Sequence, residues 1–150
     1  MEKTLNNKPK LRECSLRILT RREHSVKELR DKLISKGFEA LDVARELETL
    51  ARLNLQSDER FAQNFVTTKL HAGWGPKRIE QELSAKGVDA GVIASIVYSG
   101  EIDWYRQAQL VLAQKLKGHQ LDIVRQQRFL YMRGFSFDMI KAATKAAFED

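Results

Sequence analysis

Basic side chains recur in this chain wherever one helix is expected to end and the next to begin. Arg21 and Arg22 stand at the first such turn. Lys69, Trp74, Lys77 and Arg78 stand at the second, and Lys115, Lys117, Arg125 and Arg128 surround the third. Cations held together in this way can meet an acidic protein surface or nucleic-acid phosphates through charge-assisted hydrogen bonds. The simpler account is a solvated helix end, where cations are favoured by the negative end of the helix dipole. Trp74, between Gly73 and Gly75, either anchors an interface or folds back onto Ile79, and packing is the simpler reading.

Other reactive groups are sparse. His24, His71 and His119 fall one to a turn. A metal needs ligands within a few ångströms of one another, and equivalent positions of successive units lie farther apart, so no metal is expected. There is no phosphate-binding loop, dinucleotide glycine pattern or nucleophile elbow, so neither a cofactor nor an enzyme is expected. The single cysteine, Cys14, lies in an amphipathic stretch and reads as a small buried residue; one cysteine allows no internal disulfide, which fits a reducing cytoplasm. No apolar run approaches the ~20 residues that span a bilayer, so no membrane contact is expected. The polar stretch Met1–Lys10, with Lys3, Lys8 and Lys10, does not read as a signal peptide but as a short flexible arm.

The elements that position the basic turns repeat along the chain. Three glycines each follow a basic residue: Lys36-Gly37-Phe38, Lys86-Gly87-Val88 and Arg133-Gly134-Phe135, at separations of 50 and 47 residues. A leucine stands four positions before each (Leu33, Leu83, Leu130), and a helix-start residue two after (Glu39, Asp89, Ser136). Glycine takes the left-handed conformation beyond a helix end at little cost, so each triplet marks a helix stop. A period of this length without strand signals predicts an all-α protein of three tandem three-helix repeats. The short linkers predict an elongated, curved array, read as a monomer. The expected boundaries are an arm over 1–10, then repeats over 11–56, 57–102 and 103–150.

Within the repeats, Leu11, Ser15, Ile18 and Leu19 form the first stripe. Ser25 with Glu28 makes a capping box, in which each side chain satisfies the other residue's backbone N–H. Leu41, Ala44, Leu47 and Leu50 are expected on one face of the third helix. Ser57 is the cap of the fourth, Pro76 suits the first position of the fifth, and Asp122 opens the eighth. Phe137, Ile140 and Phe148 are expected to complete the packing of the last helix.

The net charge of +6 is uneven. Residues 1–36 carry 11 basic and 5 acidic groups, 37–103 carry 7 and 11, and 104–133 carry 6 and 1. Two basic regions flanking an acidic middle predict contact with an anionic partner at both ends.

The order and spacing of several phrases then become informative. They are Asp58-Glu59-Arg60-Phe61-Ala62, Gly73-Trp74-Gly75-Pro76-Lys77-Arg78-Ile79, Gln81-Glu82-Leu83 and Lys86-Gly87-Val88. Arg22-Glu23-His24-Ser25, Glu28-Leu29, Lys32-Leu33 and Gly37-Phe38 precede them; Asp103-Trp104, Arg128-Phe129-Leu130 and Arg133-Gly134-Phe135 follow. Together, over about residues 11–148, they resemble the RecX family of bacterial recombination modulators. The resemblance implies three three-helix units that bind RecA filaments on single-stranded DNA in the filament groove. It implies inhibition of RecA: lower ATP hydrolysis, less strand exchange and less coprotease function, and so modulation of recombination, DNA repair and the SOS response. The alternative is a helical-repeat DNA-binding regulator using helix-turn-helix-like units. Against it, residues 57–102 carry 5 basic and 6 acidic residues, so any direct DNA contact is expected to be weak and non-specific.

Overall fold

The computed structural model describes the backbone of residues 2–149, with side chains from Lys8 onward. Among the described residues nine helices account for the regular structure: α1 Glu2–Arg21, α2 Val26–Ser35, α3 Ala40–Arg52, α4 Asp58–His71, α5 Pro76–Ala85, α6 Ala90–Val97, α7 Trp104–Leu116, α8 Ile123–Met132 and α9 Phe137–Glu149. No strand occurs among the described residues. Helix α1 therefore runs through the stretch expected to be a flexible arm. Extending an existing helix adds one hydrogen bond per residue fixed, which is cheaper than starting one; Pro9, inside the helix, works against the extension.

The chain forms two compact units. The first holds residues up to Asn64 together with Lys86–Val88. Its core is Leu11, Leu29, Leu33, Val43, Leu47 and Leu50, with Cys14, Ile18, Leu19, Val26 and Phe38 packed against it. The face of α3 differs from the expectation: Leu41 is 62% exposed and Ala44 is exposed, while Val43 takes the inward place. Steps of three residues drift backward by about 60° each at about 100° per residue, so a run starting at Leu41 winds off the face that Leu47 and Leu50 share.

The predicted capping box is present. The Glu28 N–H donates to Ser25 Oγ (3.1 Å), and the Ser25 N–H donates to Glu28 Oε1 (3.1 Å). Ser57 likewise accepts from the Arg60 N–H. Asp58 does more than favour its own helix dipole. Its Oδ1 accepts from the Val26 N–H (2.8 Å) and from Gln56 Nε2 (2.9 Å), which ties the start of α4 to the start of α2.

The second unit holds Phe65–Ala85 and the chain from Asp89 onward. Its buried residues include Val66, Ile79, Leu83, Ile93, Val97, Trp104, Leu112, Leu130, Phe135 and Ile140. Trp104 is buried at little cost because Nε1 donates to Val97 O (2.8 Å). In α9 the inward residues are Ile140, Ala143 and Thr144, whereas Phe137 and Phe148 are 74% and 89% exposed. Those two stand in the first and last turns of the helix, where a favourable angle meets no opposing element.

All three triplet glycines have the positive φ that their sequence context predicts: +99° at Gly37, +83° at Gly87 and +96° at Gly134. At Gly134 space is also limiting. A Cβ there would lie 2.5 Å from Arg78 N and Cβ, and one on Gly75 would lie 2.6 Å from the Gly134 carbonyl. Two glycines thus let two backbones touch, and the Gly75 N–H donates to Arg133 O (2.6 Å) while the Lys77 N–H donates to Gly134 O (2.9 Å).

Candidate interaction surface

In the first unit Arg21 lies exposed in the last turn of α1. Arg22, one residue on, is engaged. Its Nη1 and Nη2 each lie 3.2 Å from a Glu28 oxygen, and Nη1 also donates to Glu23 O (2.8 Å). Lys86 Nζ is 3.3 Å from the same carboxylate. Burial alone would raise the Glu28 pKa; the bonds from Arg22, the Ser25 N–H and Lys86 outweigh it and hold the group at about 2. Arg22 therefore serves chiefly to fasten the α1–α2 turn. Replacing Glu28 by Gln is expected to lower stability at pH 7 by about 2 kcal/mol, because two cations lose their negative partner, while the amide oxygen can still accept from the Ser25 N–H. Because the folded-state pKa is depressed, the wild-type advantage is complete above the ordinary value of 4.5 and disappears as pH falls toward about 2. Urea titrations of the two proteins between neutral and acid pH would show the difference closing; a constant difference would exclude this role.

His24 is also structural. It is buried, with Nδ1 3.0 Å from Arg22 O and Nε2 2.8 Å from Lys32 Nζ. Burial first, then the charges of Arg22 and Lys32, lower its pKa, against the hydrogen bond to Arg22 O and the charge of Glu28. The neutral ring donates from Nδ1 and accepts at Nε2. His71 and His119 are exposed. No group of three or more His, Cys, Asp or Glu suited to a metal occurs among the described residues.

In the second unit the aromatic turn is organised by cation–π contacts. Trp74 stands edge-on to Phe65, with ring centroids 6.3 Å apart and planes at 78°. Lys69 Nζ lies 4.3 Å from the Trp74 centroid and Arg78 Cζ 3.8 Å from it. The indole is half-buried and packs on Phe65, with two cations fixed at its ring. Such contacts are worth about 0.5–1 kcal/mol each at partly exposed sites, so Lys69 and Arg78 are partly spoken for.

A larger cleft of about 980 Å³ lies between the start of α5 and α8. Lys77, Arg78, Lys115, Arg125, Arg128 and Arg133 line it, facing one carboxylate, Glu82. Caps at the two helix starts orient these groups: Gly75 and Pro76 begin α5, and Asp122 caps α8 by accepting from the Arg125 N–H (2.8 Å). Phe129 and Phe135 contribute to its lining. Five of the ten residues singled out in the sequence thus share one space. Lys117 lines a neighbouring hollow with Lys115, Arg133, His71 and His119, while Arg21 and Arg22 belong to the other unit.

Arg133 was legible in sequence only as the basic residue before a helix-ending glycine. In the structure its Nη1 donates to Ala72 O (2.9 Å), and its guanidinium lies 4.9 Å from the Phe129 ring centroid. That bond joins residues 61 positions apart, which no local pattern reports.

Comparison with known proteins follows the same lines. Residues 12–50 match the family model described as RecX, first three-helix domain, and residues 57–95 match RecX, second three-helix domain. A relative named Regulatory protein RecX from Legionella pneumophila (strain Corby) is 41% identical over 137 residues, covering 89% of this chain and 91% of its own length. One of the same name from Halorhodospira halophila (strain DSM 244 / SL1) is 40% identical over 144 residues, covering 93% and 89%. The crystal structure of RecX from Lactobacillus salivarius superposes with a TM-score of 0.81 over 97% of this chain and 99% of its own, at 23% identity, a likeness of fold.

Proposed function

The chain belongs to the RecX family of regulatory proteins, and from that premise we propose that it binds RecA nucleoprotein filaments in their groove and restrains RecA. It acts by occupying the filament rather than by catalysis. Lower ATP hydrolysis, less strand exchange and less coprotease activity follow, so that recombination, repair and the SOS response in the cytoplasm are damped. The observation that supports this reading best is the cleft in which six cations face a single carboxylate. Such a surface attracts an acidic partner and repels a basic one, and its contacts are short-ranged at physiological salt, where the screening length is about 8 Å.

The same cleft supports a second reading, direct binding to DNA phosphates. The two separate by titration. Added to preformed RecA filaments on single-stranded DNA, the protein is expected to reduce ATP hydrolysis and mean filament length together. On the same DNA without RecA, its binding is expected to be weak and to fall steeply with salt. Unchanged hydrolysis with tight binding to bare DNA would favour the DNA-binding regulator.

A further inference from the structure

Two helix starts in the chain are each covered by a helix-end turn from later in the sequence. Lys86-Gly87-Val88 sits on the start of α2. A Cβ on Gly87 would lie 3.0 Å from Lys27 Cβ, and Lys86 Nζ lies 3.3 Å from Glu28 Oε2. Arg133-Gly134-Phe135 sits on the start of α5, through the backbone contacts of Gly75 and Lys77 described above. In both joints the residue after the glycine is buried, Val88 at 5% and Phe135 at 1% exposure.

Of the three basic-glycine turns one remains uncovered, and so does one of the three corresponding helix starts, those of α2, α5 and α8. Nothing lies within 4 Å of a Cβ placed on Gly37. Lys36 is exposed, Phe38 is only half-buried, and Ile34 and Leu41 beside them are 40% and 62% exposed. At the start of α8, Ile123 and Val124 are 50% and 60% exposed, although they stand where α2 and α5 receive a turn. Asp122 there offers a carboxylate near the helix start, as Glu28 does to Lys86.

We propose that a second copy of this chain completes the pattern: the Lys36-Gly37-Phe38 turn of one copy seats on the first turn of α8 in another. The contact repeats the joint that the chain already makes twice within itself. Its apolar part is Ile34, Phe38 and Leu41 against Ile123 and Val124, and its polar part is Lys36 against Asp122. It is heterologous, joining different surfaces of the two copies, so it leaves one turn and one start open and propagates head to tail. Within a chain such a joint benefits from an effective concentration on the order of millimolar. Between separate molecules it is weak, and it strengthens when copies are held side by side on a common support.

Sedimentation equilibrium from about 10 μM to about 1 mM tests the proposal directly, in the range where a dissociation constant near 1 mM becomes visible. The weight-average mass is expected to rise above the 17.3 kDa of one chain. Val124→Glu blocks the start and Ile34→Glu with Leu41→Glu blocks the turn; all three side chains are exposed, so helix content is expected to be unchanged. Ile123→Lys, which places a charge on the apolar patch and repels Lys36, replaces Val124→Glu should that variant unfold. Each blocked protein alone is expected to stay monomeric, and their mixture to form a dimer that does not grow, since it holds one intact turn and one intact start. A constant mass for the wild type, or blocked variants that associate as the wild type does, would overturn the proposal. So would a mixture that remains monomeric, and those faces would then belong to a different partner.

Discussion

Replacing Gly134 by alanine is expected to destabilise the protein by about 3 kcal/mol, against about 1 kcal/mol for the same change at Gly37. Both glycines have positive φ, +96° and +99°, so the conformational strain of an L side chain is common to the two. Only Gly134 adds overlap, since its Cβ would lie 2.5 Å from the backbone nitrogen of Arg78. Backbone cannot swing aside as a side-chain tip can. The joint would have to open, weakening the bonds from the Gly75 and Lys77 N–H groups. Gly87 is intermediate, because the atoms nearest its added Cβ are Lys27 Cβ at 3.0 Å and Cδ at 3.1 Å, the stem of a flexible side chain. Gly87→Val therefore combines strain of about 1 kcal/mol or more with a modest shift of Lys27. Urea unfolding of Gly37→Ala, Gly87→Ala and Gly134→Ala, with unchanged m-values, measures the order directly. Equal losses at Gly37 and Gly134 would mean that the close approach of Gly75 and Gly134 adds nothing to stability.

These glycines also show what was legible beforehand. Helix ends, caps and left-handed turns depend on neighbours one to four residues away, so Ser25, Glu28, Ser57, Pro76 and Asp122 could be assigned from spacing alone. The three-helix grouping followed from the period of the basic-glycine triplets. Burial was less legible where it depends on what stands opposite. Leu41 and Phe137 have apolar side chains at helical spacing, yet no neighbour covers them. The surface was least legible, because charge alone does not distinguish a cation turned inward from one turned out. Arg22 looked like Arg21 in sequence, but Glu28 and Lys86 complete a network around it. Arg133 looked like a helix-end cation, and its partner is the distant carbonyl of Ala72.

The charge reversal Lys77→Glu, Arg125→Glu and Arg128→Glu, made together, is expected to weaken binding to RecA filaments by about a hundredfold or more while leaving the fold intact. The choice follows from the partners of each cation. Reversing Arg22 would set two carboxylates beside each other with Glu28, and reversing Arg78 or Lys69 would strip the cations from Trp74. Reversing Arg133 would release Ala72 O. Those changes would confuse loss of structure with loss of contact. Lys77, Arg125 and Arg128 are exposed on the cleft, and the one ion pair among them, Arg125–Asp122 at 3.8 Å, is solvent-exposed and contributes little to folding. Each reversal replaces an attraction by a repulsion. If each of the three alters binding by about 1 kcal/mol, the sum corresponds to about a hundredfold, since about 1.4 kcal/mol is tenfold. The cleft would change from six cations facing one carboxylate to three cations facing four. Binding should weaken and also lose much of its salt dependence, because a surface of balanced charge gains little from lower ionic strength. Parallel assays on bare single-stranded DNA separate the two partners: loss on filaments alone identifies an acidic protein surface, and equal loss on both identifies phosphate. A triple variant with wild-type helix content, filament affinity and salt dependence would remove the cleft from the interaction and shift attention to Arg21 and the uncovered turn of the first unit.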